Sequence, residues 1–262
     1  MARNMIMRTQ EGKILHLECH TSVPSTHELA RRYAQAGYND GYVVFSENQT
    51  KYDSLGKPLP SSGSEHGVYL SCILRPSIFP SQAGCFGAMS VVALISALEE
   101  HTTKRLGIGW ISDIFCEGKK IGRAQVDGKL DSYSAYEYII ISFSVKLTDA
   151  DFPPRISDLI KKVFGSENSS IPLIIAKNIL SKLFNLYPKR IKSPEKFMDT
   201  YKRKFIMTGV RTRYYTDGKR RLCKIVGINP EDGRLIIETQ SGEEKLISTP
   251  KSIILPEKIR LK

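Results

Sequence analysis

Near the N-terminus His16, Glu18, Cys19 and His20 are side chains of the kind that bind metal ions. On an extended strand His16, Glu18 and His20 would share one face, but no second ligand pair accompanies them, so the cluster reads as polar surface. The five cysteines, Cys19, Cys72, Cys85, Cys116 and Cys223, are odd in number, scattered and without a C-x-x-C spacing. That pattern argues against a disulfide framework and a zinc knuckle and leaves reduced thiols. Pro24-Ser-Thr-His-Glu28 has the spacing of a helix start, with Ser25 as N-cap and Glu28 three residues on as the partner of a capping box. A hydroxyl in that position can cap the helix and touch a ligand at once. Tyr214 and Tyr215, set among arginines between Arg211 and Arg221, could stack on bases. The stretch from Lys51 to Gly67, rich in Ser, Gly and Pro, predicts a long mobile loop of the kind that serves a site.

The elements that must hold these groups follow from periodicity. A helix begins at Ser25 with Leu29, Tyr33 and Ala36 on one face and Gly37 as its stop. Ile14–Cys19 is short and mixed; strands are predicted at Tyr42–Phe45, Val68–Leu74, Leu106–Trp110, Ile121–Val126 after a Glu117-Gly118 turn, and Tyr136–Leu147. Phe86–Leu98 is apolar nearly all round, which predicts a helix buried in the core. Helical patterns follow at about 154–164, 172–186 and 194–206, and after Gly209 come short strands separated by turn residues, the size of a small β-barrel. The expectation is an α+β protein, a mixed sheet packed with helices, with a body over 1–206 and a β module over 207–262.

Charge narrows the function classes. The 262 residues carry a formal +12 with 41% hydrophobic content, which excludes a disordered or collagenous chain. Between Ala176 and Lys224 nine lysines and six arginines face only Glu195, Asp199 and Asp217, an excess equal to that of the whole chain. So local a charge suits phosphate, an acidic protein face or an anionic membrane. No window reaches the ~20 apolar residues of a spanning helix, and the N-terminus lacks a signal-peptide pattern. A cytoplasmic protein without a membrane span is expected.

Across nearly the whole chain the residues resemble the biotin protein ligases of the biotin/lipoate ligase superfamily. The stretch "FGAMSVVALISALEEHTTKRLGIGWISDIFCEGKKIGR", Phe86–Arg123, resembles the family's buried helix, its K-W-P-N-D strand and its K-x-x-G-I hairpin. "PSTHELA", "SENQT" with "GVYLSCILRP", and "YIIISFSVKLTDADFP" resemble the family's S-T-N helix start, its Q-T and Y-L-S segments and its G-I-G-x-N segment. "MDTYKRKFIMTGVRTRY" and "GINPEDGRLIIETQSGEEKLIS" resemble the last helix and the small C-terminal SH3-like barrel. The resemblance implies ATP-dependent activation of biotin to biotinyl-AMP, with Mg²⁺, and transfer to a lysine of a biotin carboxyl-carrier protein or a similar acidic carrier domain. It also implies a monomer or a homodimer. Because the match begins near residue 14, no DNA-binding helix-turn-helix is expected ahead of the body.

Carried over residue by residue, the resemblance makes Ser25, Thr26, Gln49 and Trp110 biotin-binding, Lys120 and Asp113 catalytic, and Lys57, Arg123 and Lys146 the cations available to the nucleotide. The departures are concentrated in charge. The family's Gly/Arg-rich loop is here "KYDSLGKPLPSS", in which only Gly56-Lys57-Pro58 matches its pattern. At K-W-P-N-D the lysine is Gly109, while Ile111 and Ser112 replace Pro and Asn. His27 stands for Asn, Arg123 for a glycine, Ser142 and Ser144 for two glycines and Lys146 for the G-I-G-x-N asparagine. Three readings stay open: a ligase whose cationic field is rebuilt from new positions, a homologue that binds ligand or carrier without turnover, and a lipoate or other acyl ligase or transferase.

Overall fold

The computed structural model describes residues 2–52, 57–58, 65–80, 83, 85–147, 171–189, 195–229 and 231–256. Strands β1 (Arg3–Arg8) and β2 (Ile14–Val23) pair antiparallel at one edge of a sheet, and helix α1 (Thr26–Gln35) carries the chain over to β3 (Tyr42–Gln49), which runs parallel to β2. Antiparallel β4 (Glu65–Leu74) follows, then α2 (Phe86–Glu99), the short strands β5 (Leu106–Gly109) and β6 (Asp113–Cys116), and the long pair β7 (Lys119–Leu130) and β8 (Tyr136–Lys146). The eight strands lie in the order β1-β2-β3-β4-β8-β7-β6-β5. Helices α3 (Ile171–Leu186) and α4 (Glu195–Lys204) complete the body. The helix expected at 154–164 lies outside the described residues.

The two faces of the sheet are covered unequally, and that inequality makes the site. On one face α2 buries eleven of its fourteen residues, and α2, α3 and α4 pack with Leu70, Cys72, Ile141 and Phe143 into the main core. On the other face, among the described residues, only α1 covers the sheet, through Ala30 and Ala34 against Val44, Ile73, Tyr138 and Ile140. The inward stripe of α1 is therefore Ala30 and Ala34 with half-buried Leu29 and Tyr33, and Ala36 is exposed, contrary to the face expected from the sequence. Small alanines let the helix lie close to the strands, and the uncovered part of the sheet beside its N-terminus stays open to solvent.

The C-terminal module is a four-stranded antiparallel sheet, β9 (Arg211–Thr216), β10 (Lys219–Ile228), β11 (Leu235–Thr239) and β12 (Glu244–Ile247), in the order β12-β11-β10-β9. One bridge from Tyr214 to Ile253 extends it. Its apolar side, with Ile225, Leu235 and Ile237, belongs to the same buried cluster as the body. Trp110 Nε1 donates to Gly233 O at 2.9 Å, and Ile206 N donates to Ile108 O at 3.1 Å. No described helix is long and apolar enough to cross a membrane.

Candidate active site

Strand register assembles the floor of the site. Across β3, β4, β8, β7 and β6 the cross-strand partners Ser46, Tyr69, Ser144, Arg123 and Asp113 form one row. The next rows on the same face are Ser71, Ser142 and Gln125, then Ile73, Ile140 and Asp127. Side chains two apart on a strand share a face, so Arg123, Gln125 and Asp127 stand side by side on β7. Gly67, expected in the loop, lies within β4, because β8 approaches so closely that a Cβ there would sit 2.3 Å from Val145 O.

One cleft opens on this floor, and a second opens at the β6–β7 end of the sheet against α2. The first, about 410 Å³, is lined by Ser25, Thr26, His27 and Arg31 of the α1 start, Gln49, Tyr69, Arg123, Gln125, Asp127 and Ser142. The second, about 470 Å³, is lined by Phe86 and Gly87 of the first turn of α2, by Trp110, Ser112, Asp113 and Lys120, by Arg123 and Gln125, and by Leu255 after the C-terminal sheet. Arg123 and Gln125 of β7 border both clefts.

A chain of polar contacts holds the first cleft. Ser25 Oγ caps α1 by accepting from Glu28 N at 3.3 Å, as expected. The reciprocal half of the capping box gives way to an ion pair between Glu28 and Lys51 at 2.7 Å. Thr26 N donates to Gln49 Oε1 at 3.1 Å, Gln49 Nε2 to Tyr52 O at 2.8 Å, and Ser71 Oγ to Thr26 Oγ1 at 3.0 Å. Ser71 Oγ lies 2.8 Å from Ser142 Oγ, which lies 2.9 Å from His27 Nδ1, and His27 Nε2 is 3.4 Å from Asp127 Oδ2. Burial lowers the His27 pKa and the Asp127 carboxylate pushes it back only in part, so the imidazole is neutral at neutral pH. The order carboxylate, imidazole, hydroxyl is that of an activated nucleophile, but Ser142 is on a central strand whose neighbouring N–H groups are spent on β4 and β7. Among the described residues the ladder therefore leaves no pair of strand donors beside Ser142 for an oxyanion hole. The chain instead presents a preorganised polar wall.

In the second cleft Lys120 Nζ and Asp113 Oδ1 form an ion pair at 2.8 Å. Trp110 is 2% exposed and borders this cleft, apart from Ser25, Thr26 and Gln49 in the first. Tyr201 donates from its hydroxyl to Ile111 O at 2.8 Å, and burial, reinforced by Asp113, pushes its phenol up. The side chain of Cys85 at the N-cap of α2 makes no capping bond, Phe86 and Gly87 border the cleft, and a helix N-terminus favours anionic groups. Gly109 is the cross-strand partner of Asp113, but a Cβ there would lie 2.5 Å from Phe115 Cε2.

Of the residues singled out in the sequence, Ser25, Thr26, Gln49 and Arg123 meet in the first cleft and Trp110, Asp113, Lys120 and Arg123 in the second. Lys146 lies at the end of β8, 3.9 Å from Glu65, and borders neither cleft. Lys57 is exposed, and most of its loop lies outside the described residues. Gln125, inside the expected strand, and Asp127, beyond its expected end at Val126 where the strand continues to Leu130, were not foreseen; the alternation Arg123, Gln125, Asp127 was the available signal. Of the metal-type cluster, Glu18 accepts from Tyr33 at 3.2 Å and Tyr42 at 2.7 Å and lies 2.9 Å from His20 Nε2, so its oxygens are engaged. Among the described residues no group of three His, Cys, Asp or Glu side chains is placed to hold a metal.

No protein-family model matches the chain. The bifunctional ligase/repressor BirA of Bacillus subtilis is 26% identical over 238 residues, covering 89% of this chain and 72% of that protein, and its Bacillus spizizenii counterpart is 25% identical over the same length. Among solved structures, the biotin protein ligase of Aquifex aeolicus in complex with biotin and ATP superimposes with a TM-score of 0.60 at 22% identity, covering 90% of this chain and 96% of that one. A biotin protein ligase-like protein of unknown function from Silicibacter sp. gives 0.63 at 13% identity, covering 93% and 96%. The chain therefore shares the fold of these ligases and is similar in sequence to BirA over most of its length.

Proposed function

We propose that this protein activates biotin with ATP and passes the biotinyl group to a lysine of a carrier domain. The observation that carries the reading is that Arg123 borders both clefts. An acid whose polar head meets Ser25, Thr26, Gln49 and the His27–Asp127 wall would extend its carboxylate toward the boundary. A triphosphate in the second cleft would lie between the first turn of α2 and Lys120. One carboxylate oxygen attacks the α-phosphorus, pyrophosphate leaves, and the acceptor amine then attacks the acyl carbon and releases AMP. Charge develops on phosphoryl oxygens at the boundary, where the planar guanidinium of Arg123 can offer paired donors. In this reading Arg123 supplies from β7 the cation that the family places at the position of Gly109.

A Mg²⁺ carried by the phosphates needs only one or two protein carboxylates. Asp113, the carboxylate bordering the second cleft, fits that role in exchange for its contact with Lys120; the ion would neutralise phosphate charge. We take residues 1–206 as the body that supplies most of both clefts and 207–262 as a C-terminal module, a division supported by Leu255 bordering the second cleft and Gly233 accepting from Trp110.

The closed position of Gly109 favours a second reading, a homologue that binds ligand or carrier without turnover. Calorimetry with biotin, ATP and biotinyl-AMP, followed by carrier labelling, separates the two. The ligase reading expects binding of all three and labelled carrier; bound ligands with no label at high enzyme concentration would refute it.

A further inference from the structure

The excess positive charge is not spent uniformly. In the helical part of the basic segment, Lys182 pairs with Glu100 and Lys204 with Glu99, so those cations pin α3 and α4 to the end of α2. In the β9–β10 hairpin the register pairs Arg211 with Lys224, Arg213 with Leu222 and Tyr215 with Arg220. Cross-strand partners share a face, and so do alternate residues, so all six side chains stand on one side of the sheet. The opposite side carries Tyr214, Cys223 and Ile225, which are buried, so the face with the cations is outward. All six outward residues are exposed. Arg211, Arg213, Arg220 and Lys224 form no ion pair among the described residues. Glu238, opposite Lys224 on β11, is the nearest carboxylate in register and marks the boundary of the strip.

The strip adjoins the second cleft. Ile254 N donates to Arg213 O at 2.9 Å, Thr212 donates from its hydroxyl to Ile254 O, and the next residue, Leu255, lines that cleft. We propose that this outward face of β9 and β10 docks an acidic surface of the protein that supplies the acceptor lysine, which rests on the ligase reading above. Four cations beside an exposed Leu222 suit a protein face with a carboxylate rim and an apolar centre. Single-stranded nucleic acid fits less well. The aromatic on this face, Tyr215, has the Arg220 guanidinium over its ring at 5.4 Å, and no second aromatic extends it into a stacking platform.

The test uses the full chain, an acidic biotin-accepting carrier domain and the double variant Arg213→Glu/Arg220→Glu, whose positions lie outside both clefts. Docking is read as carrier affinity by calorimetry across a salt series, which requires no turnover; formation of biotinyl-AMP is read separately. The proposal expects carrier affinity to fall roughly tenfold or more in the variant, with a flatter salt dependence, unchanged adenylate formation and recovery when carrier acids are changed to lysine. Equal affinity and equal salt dependence in both proteins would overturn the docking face and leave the ligase reading intact. A single-stranded oligonucleotide that binds wild type more tightly than the carrier does, and is lost in the variant, would overturn it in favour of nucleic acid. If the wild type makes no biotinyl-AMP, the ligase reading fails, while the affinity comparison still decides the docking face.

Discussion

Replacing Gly109 tests whether the lysine of the family could be restored in this protein. A Cβ on the present backbone would approach Phe115 Cε2 to 2.5 Å and Cδ2 to 3.2 Å, whereas carbon atoms in contact prefer about 3.5–4.0 Å. Phe115 is 1% exposed and cannot swing into solvent. Overpacking of this kind costs typically 1–3 kcal/mol. About 2 kcal/mol corresponds to a loss of ~4–8 °C in thermal midpoint for a chain of this size. Gly109→Ala is therefore expected to lower the denaturant midpoint by that equivalent, and Gly109→Lys by at least as much without raising carrier labelling above the wild-type level. A double-mutant cycle with Phe115→Ala should recover about 1 kcal/mol or more of the Gly109→Ala penalty, because the clash has lost its partner. Stability unchanged in Gly109→Ala, strict additivity in the cycle, or labelling raised above wild type by Gly109→Lys would each refute the reasoning.

Three further outcomes follow. Trp110→Phe leaves the buried Gly233 carbonyl without its indole donor, which should cost about 1–3 kcal/mol in chemical denaturation. His27 is held below its ordinary value near 6.5 mainly by burial. The unfolded chain then binds the proton more readily than the folded one, so stability is level above that value and declines as pH falls below it. Denaturant midpoints in wild type and His27→Asn, compared between about pH 5 and pH 8, should show a shallower decline in the variant; parallel profiles would exclude His27 as a cause. Leu94→Ala, at a fully buried position of α2, should cost about 2–5 kcal/mol, read from the same midpoints.

What could be foreseen divides along the range of the interactions that decide it. Phe86–Leu98 was legible because a helix buried on every side announces itself as a continuous apolar run, and Ser25 because an N-cap is a local hydrogen bond. Strand β1, with Arg3, Asn4 and Arg8, has no apolar pattern and exists through its pairing with β2. Strand β6 is only four residues long, and β7 runs past Val126 into exposed residues held by the ladder to β8. The site divides in the same way. Resemblance brought out Ser25, Thr26, Gln49 and Arg123, which share a cleft, but Asp127 and Ser71 enter through cross-strand register, and the closing of Gly109 comes from a ring six residues away. Lys146, carried over by position alone, turns toward Glu65.

The central claim is that the two clefts adenylate biotin with Arg123 as the cation at their boundary, and biotin-dependent exchange of labelled pyrophosphate into ATP measures that step without any carrier. Wild type should catalyse the exchange, and Arg123→Ala should lose roughly 10²–10³ of the rate with carrier affinity unchanged. No exchange by the wild type, or an undiminished rate in Arg123→Ala, would contradict the account.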